Sequence, residues 1–380
     1  MIFNDKGYLR ILESSDWHLG HDKTPTENVT KGIFSMLPDD GSLADVDICV
    51  IAGDVFDHDL YYHSPKIRKS HQGILHALRM AKKYDFILFV IEGTPGHDWK
   101  QSVSFEELNE ISGINAEVYY IQTVEIVHIE KLGINILVVP DEWRTRTEDT
   151  WKDVQACLKR HNLKAVHYSV MHGCFPHQLP GVPDGVVETH NPDNYLKITE
   201  RFIFIGHIHT SSLYSRIVAS GSLDALAHGE EHRAKGWVDV KCYPDASKDT
   251  VRFVRNPHAM PYKTIDLAGM DIQSCIDKVE AYLLKVGYGH IRIAARTSDP
   301  ANNYFTLLKK QHPHYQWSFK DVSEKSRKDR TAELLAKQKQ QLSLPKLTRA
   351  NLEHLVLDRI KETRPDIVDQ CRTILCEVLK

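Results

Sequence analysis

Leu9-Arg10-Ile11-Leu12-Glu13-Ser14-Ser15-Asp16-Trp17-His18-Leu19-Gly20 is an apolar run that gives way to a carboxylate and an imidazole two residues apart. In an extended chain such neighbours point the same way, so Asp16 and His18 can grip one metal ion where a strand passes into a loop. A lone Asp-x-His triplet is common and proves little. Its weight comes from the recurrence of the same arrangement downstream.

The apolar run 46–51 leads into Ala52-Gly53-Asp54-Val55-Phe56-Asp57, and the run 86–91 into Glu92-Gly93-Thr94-Pro95-Gly96-His97-Asp98. The run 166–171 is followed by His172-Gly173, and 202–205 by Gly206-His207-Ile208-His209. These runs, with 134–139, are rich in Ile and Val and bounded by glycine or charge, as buried strands are. Loops at the carboxyl ends of strands are where α/β sheets place their chemistry. Five strand ends carrying Asp or His imply one shared site.

Between the strands, Ser64-Pro65 opens a helical stretch carrying Ile67, Ile74, Leu75 and Leu78, and 149–160 reads as another helix. Strand and helix alternate, which predicts a layered α/β domain over 1–256: a sandwich of two mixed β-sheets flanked by helices. The stretches 118–129 and 213–240 lack intervening helices and predict antiparallel additions at the edges. Asn256-Pro257-His258-Ala259-Met260-Pro261 interrupts the periodicity. Residues 257–322 then read as strand, helix, strand, helix, strand, a small α/β module. From 323 the chain turns polar and helical. Within 344–380, Leu352, Leu355, Val356 and Ile360, then Ile367, Cys371, Ile374, Leu375 and Val378, mark a hairpin of two helices with one apolar face. That face either packs on the chain's own domains or docks a partner.

At 380 residues the chain has room for two or three domains, and 42% hydrophobic with 26% charged residues is ordinary for a soluble protein. A formal charge of -3 excludes a uniformly basic nucleic-acid binder but not a local basic face. The apolar runs are far short of a membrane span, and residues 1–10 lack a signal-peptide core, so a cytoplasmic protein with no membrane partner is expected. Seven cysteines without C-x-x-C spacing read as small buried hydrophobes in a reducing compartment.

The chemistry that needs this set of Asp and His is hydrolysis of a phosphate ester by two metal ions about 4 Å apart. Asp16, His18 and His209 would hold one ion and His172 and His207 the other, with Asp54 bridging. Mixed carboxylate and imidazole ligands suit Mn, Fe or Zn better than Ca or Mg, and the lack of cysteine argues against structural zinc. His97 is the candidate proton donor to the leaving oxygen.

At these residues the chain resembles the calcineurin-like metallophosphoesterases, whose motifs run D-x-H, G-D-x-x-D, G-N-H-D/E, H and G-H-x-H. Asp16-Trp17-His18-Leu19-Gly20 with Ser220-Gly221-Ser222-Leu223-Asp224, Gly229-Glu230-Glu231 and Lys235-Gly236-Trp237 looks like the SbcD-type DNA repair nuclease subunits of that family. The resemblance implies metal ligands at Asp16, His18, Asp54, His172, His207 and His209, and Asp57 as the carboxylate that orients His97. It implies a nuclease domain (1–256), a DNA-binding capping domain (257–322), and a linker and hairpin (323–380) whose residues 344–380 grip an SbcC-type ABC ATPase. It also implies a homodimer through the nuclease domain, and the short tail fits a bacterial or bacteriophage source better than a eukaryotic one. The expected activity is Mn-dependent cleavage of DNA ends and single strands in repair, recombination or phage DNA metabolism.

One position departs from the family pattern. Gly96, not Asn, precedes His97, so Thr94 Oγ, a backbone carbonyl or a water must replace the amide, and the second ion is expected to bind more loosely. Asp57 has the alternative role of a helix cap, Asp98 reads as a turn residue, and Trp17 and Trp99 read as core rather than base-stacking platforms. His167 is expected to be packed; His58, His63, His177, His190, His228 and His232 are surface residues or line a DNA groove. Two other functions compete. One is a small-molecule phosphodiesterase or phosphatase, for which Arg68, Arg144 or Arg233 would have to fold in; the other is a DNA-end-binding scaffold with weakened catalysis.

Overall fold

Alternate residues of the apolar runs go to opposite faces, and both faces are covered. The computed structural model describes residues 1–141, 146–182, 186–323, 357 and 368. In β1 (Leu9–Ser14), β2 (Ile48–Ile51) and β3 (Ile87–Ile91), Leu9, Ile11, Ile48, Val50, Ile87 and Phe89 face one core. Leu12, Cys49, Ile51, Leu88 and Val90 face another. Burial on both sides explains why these strands show no polar alternation.

β1, β2, β3 and β4 (Val118–Ile121) run parallel, and β11 (Gly236–Cys242) and β12 (Thr250–Arg255) add antiparallel strands beside β1. The second sheet orders β5 (Glu125–Ile129), β6 (Ile134–Val139), β7 (Tyr168–His172), β8 (Ile203–Gly206), β10 (Ile217–Ala219) and β9 (Ser212–Tyr214). Its four middle strands are parallel, and β5 and β9 are antiparallel edges. Ile136, Val138, Tyr168, Val170 and Phe204 share the inner core with β1, β2 and β3, so two six-stranded mixed sheets pack against each other. Helices α1 (Thr26–Met36), α2 (Pro65–Tyr84) and α4 (Ser104–Ser112) cover the outer face of the first sheet; α3 (Pro95–Asp98) is a single turn. Helices α5 (Thr147–Arg160) and α6 (Pro192–Ile198) cover the second.

The antiparallel additions expected at 118–129 and 213–240 are corrected at β4 and at β10, which pairs in parallel with β8. β4 is parallel, not an antiparallel edge, because α4 returns the chain between β3 and β4. Helix α1, which the apolar pattern did not announce, buries polar side chains. Asn28 Nδ2 donates to Asp224 Oδ2 and to the His258 carbonyl, both at 2.6 Å, so polar groups share its inner face with Val29, Ile33 and Met36.

The break at 256–261 falls between β12 and a third, parallel sheet of β13 (Tyr262–Asp266), β14 (His290–Ala295) and β15 (Gln316–Asp321). Helices α7 (Ile272–Leu283) and α8 (Pro300–Gln311) pack on it. This unit rests on the strand-end loops of the first: the Tyr262 hydroxyl reaches Thr24 Oγ1 (3.1 Å) and the Leu226 carbonyl (3.0 Å), and Glu231 accepts from Thr264 N–H (2.6 Å). The expected linker and hairpin lie outside the described residues, apart from 323, 357 and 368. No described helix is long and apolar enough to cross a membrane.

Near the start of β1, Asp45 accepts from Arg10 Nη1 (2.5 Å), Lys6 Nζ (3.0 Å) and the Tyr8 hydroxyl. Burial opposes its charge, but these three donors outweigh it and hold the carboxyl well below the usual range. A carboxylate lowered in the fold adds stability above its unfolded pKa, and that stability is lost as pH falls. Asp45→Asn should therefore lower the urea midpoint at pH 7, and its gap to wild type should narrow below about pH 4.

Candidate metal centre

Four residues at the strand ends hold left-handed backbone without being glycine: Asp16 (φ 51°), His18 (48°), Asp54 (52°) and His207 (100°). Such backbone costs about 1–3 kcal/mol per residue and collects at functional sites. Main-chain bonds lace the loops together, with Asp16 N–H to Gly53 O and His18 N–H to Asp54 O at 3.0 Å each. At Gly53 (φ 84°) a Cβ would lie 2.4 Å from His172 Nδ1 and 2.7 Å from Gly93 Cα, so three strand ends meet where only glycine fits. Asp98 is buried and accepts from Phe56 N–H and Gly93 N–H, both at 2.8 Å. It staples the β3 loop to the β2 loop, a larger role than the turn residue expected.

Six predicted side chains come together as two triads. The ligand atoms of Asp16, His18 and His209 lie within 4.8 Å of one another, and so do those of Asp54, His172 and His207. His18 Nδ1 is 3.2 Å from Asp57 Oδ1 and His209 Nδ1 is 2.9 Å from Glu230 Oε1. A neutral ring that gives Nδ1–H to its carboxylate presents a lone pair at Nε2, and the two Nε2 atoms face each other at 3.1 Å. His172 likewise gives Nδ1–H to the Ala52 carbonyl (2.7 Å) and turns Nε2 to Asp54 Oδ1 at 3.3 Å. Asp54 sits between the triads, with Oδ2 3.7 Å from His18 Nε2. The converging carboxylate oxygens and imidazole nitrogens of each triad are the donor types that transition-metal ions take, so the donor set fits divalent metal ions.

Charge behaves accordingly. Burial disfavours a proton on His172, but Asp54 outweighs it and pushes the imidazole up to about 10. His207 falls to about 4 through burial and the neighbouring His172. Glu230 goes down to about 2: burial opposes its charge, and the hydrogen bond to His209 and the ammonium of Lys235 (2.7 Å) overcome it. Asp16 is fixed by Ser15 Oγ (2.5 Å) and His207 N–H (3.0 and 3.1 Å).

Thr94, one of the three replacements expected for the Asn of the family pattern, stands at the second triad. Its Oγ1 lies 3.3 Å from Asp54 Oδ2, 3.3 Å from His172 Nε2 and 3.4 Å from His207 Nδ1, and its N–H donates to Asp54 Oδ1 (2.6 Å). His97 stands edge-on to His18, ring centroids 4.9 Å apart. The expected Asp57 carboxylate contact to His97 is not made. Asp57 gives its carboxylate to His18 and to His58 Nδ1 (3.0 Å), and its backbone carbonyl to His97 Nδ1 (2.6 Å). The carbonyl fixes the ring and its tautomer without adding a negative charge.

Trp17 is buried core, as expected, but Trp99 is exposed. His167 is packed, accepting from Asn135 N–H (2.9 Å), and His190 is buried against the Tyr195 hydroxyl (3.2 Å). Two features escaped the sequence reading. The Glu230–Lys235 pair behind His209 was quoted only as a motif; the other is a cavity of about 230 Å³ beside His172 and His207, lined by Asp141, Cys174, Glu188 and His190. Asp141 follows the end of β6, and the strand-end rule that found the other residues would have found it too. A further grouping, Glu125, Cys157 and His161, already holds the Arg160 guanidinium, 3.0 Å from Glu125 and 3.3 Å from Cys157 Sγ.

No protein-family model matches the chain, and no curated protein matches it. One crystal structure is 11% identical and covers 66% of this chain and 99% of its own, with a TM-score of 0.37, a likeness too slight to bear on fold or function.

The close approach at Gly53 is testable against an open glycine of similar backbone, Gly41 (φ 89°, nothing within 4 Å of a Cβ). Gly41→Ala should cost about 1–2 kcal/mol in urea unfolding, and Gly53→Ala a further ~1–3 kcal/mol from overpacking.

Proposed function

We propose that this chain is a metal-dependent phosphodiesterase of the calcineurin-like group that cuts DNA, an SbcD-type nuclease subunit working with an ABC-type ATPase. The observation that carries the reading is the pairing of the two triads across Asp54, with His97 beside them. Divalent ions held by Asp16, His18 and His209 and by Asp54, His172 and His207, Mn foremost, would polarise the phosphoryl group and bring the pKa of a water toward neutrality. The remaining work belongs to the chain. Glu230 and Asp57 hold the His209 and His18 rings, the Ala52 carbonyl holds His172, and Thr94 offers the hydroxyl that completes the second triad. Hydrolysis adds water across a P–O bond, and the leaving oxygen must take up a proton. His97, with Nδ1–H fixed on the Asp57 carbonyl, is the group placed to give it from Nε2 as the doubly protonated imidazolium, leaving the neutral Nδ1–H ring behind.

Among the described residues no arginine hydrogen-bonds to either triad, and Arg68 and Arg233 are exposed. This favours a diester over the dianionic monoester that arginine clamps hold; Arg144 lies outside the described residues. The three-stranded unit beside the strand-end loops is read as the capping domain, and residues 344–380 as the segment that binds the ATPase.

The test is Mn-dependent cleavage of linear duplex, circular single-stranded DNA and bis(p-nitrophenyl) phosphate. DNA is expected to be cut, and His97→Ala should lower kcat by about 10²–10⁴-fold with metal content unchanged. Cleavage of the small ester alone would turn the reading to a small-molecule phosphodiesterase, and no cleavage even with the ATPase would turn it to a scaffold. Calorimetric titration with Mn should give one tight and one looser site, with Thr94→Ala weakening the looser one further. Two sites of equal, tight affinity would contradict the role given to Thr94.

A further inference from the structure

Two loops beside His97 are laced into one rim by Gln101. Its amide nitrogen donates to the carbonyls of His58 (3.0 Å) and Asp98 (3.2 Å), and its oxygen accepts from Leu60 N–H (2.9 Å). The His97 bond to the Asp57 carbonyl joins the same two loops. Leu60 points inward, and a Cβ at Gly20 would touch it at 2.7 Å. The next residues turn outward: Tyr61 is 80% exposed, Tyr62 83%, and Trp99, on the other loop, 57%. A single exposed ring needs no explanation, but three on two joined loops beside one site are not accounted for by packing.

Trp99 is also held in place. It sits in left-handed backbone (φ 47°) and its Nε1 donates to the Gly96 carbonyl (3.0 Å), so the ring is displayed at a fixed position next to His97. Lys100 follows it, exposed and with no ion pair within 4 Å among the described residues. One exposed ring held in place, two more on the joined loop and a cation beside them match what unpaired nucleobases on a phosphate backbone require. Every base has a π-face, and stacking on aromatic side chains is tolerant of sequence. Bases inside a duplex are already stacked and present only their edges.

Resting on the nuclease reading above, we infer that Tyr61, Tyr62 and Trp99 form a stacking ledge that seats unpaired bases of single-stranded DNA on the His97 side of the metal centre. The substrate class at that side is therefore a single strand or a frayed end rather than an intact duplex.

The test uses the full chain in EDTA and fluorescence anisotropy with a labelled 20-nucleotide oligothymidylate and a labelled blunt hairpin duplex. Trp99→Ala and Tyr61→Ala/Tyr62→Ala should each weaken oligothymidylate binding about tenfold, leave hairpin binding within about twofold, and leave Mn-dependent hydrolysis of bis(p-nitrophenyl) phosphate unchanged. Trp99→Phe removes the bond to Gly96 but keeps a ring, and should stay within about threefold of wild type. Unchanged oligothymidylate affinity in the alanine variants overturns the ledge and leaves the nuclease reading standing. So does an equal loss on both DNAs, or a Trp99→Phe loss as large as that of Trp99→Ala. If the wild type hydrolyses the ester but binds neither DNA, the ledge and the nuclease reading fall together.

Discussion

Two imidazole Nε2 atoms face each other across 3.1 Å, on His18 and His209, while the Nδ1 of each ring is set against a carboxylate, Asp57 and Glu230 respectively. With both rings neutral and each Nδ1–H on its carboxylate, the facing Nε2 lone pairs are the donors that a divalent cation would take up. Much of the architecture serves to impose this arrangement. The loops after the parallel strands turn through left-handed backbone at Asp16, His18, Asp54 and His207, and Gly53 lets three of those strand ends touch. The strain at these positions is sustained by the buried cores on both faces of each sheet, which leave the strand ends no freedom to relax.

The same logic explains the groups one step behind the centre. Lys235 is buried and paired with Glu230, so the carboxylate that orients His209 is itself held. Asp98, buried without a cation, gives its oxygens to two backbone N–H groups and keeps the β2 and β3 loops in register. Burial, with Asp54 and Glu92 close by, raises its carboxyl well above the usual range, which suits a staple rather than a catalyst. These residues fix distances within the centre, and that is where a small displacement would be felt most.

The strands could be read from the sequence because burial on both faces makes them uninterrupted Ile and Val runs, and the Asp and His at their ends could be read because a strand end is visible as a change of composition. Helix α4 could not, since only Ser104 and Phe105 are buried and its remaining residues are mostly charged or polar. Without it β4 looked like an edge hairpin rather than a parallel strand. Helix α1 hid for another reason, its buried face mixing Thr26, Asn28 and Thr30 with Val29, Ile33 and Met36, which blurs the apolar period. At the site, sequence gave Asp57 and His97 as partners but could not say which atom of Asp57 would reach the ring; the side chain went to His18 and the carbonyl to His97. Nor could it show that Thr94, one turn from His97, would bring its hydroxyl between Asp54, His172 and His207. Trp99 was misjudged because a tryptophan's prior is burial, and only the left-handed turn after α3 swings it into solvent.

The central claim, a paired cation centre spanning both sheets, is tested most directly by anomalous diffraction from crystals grown with Mn. The account predicts two anomalous peaks, one among Asp16, His18 and His209 and one among Asp54, His172 and His207 with Thr94 Oγ1 at its edge. Absence of density at both triads, or a peak only at the Glu125, Cys157 and His161 grouping, would contradict it.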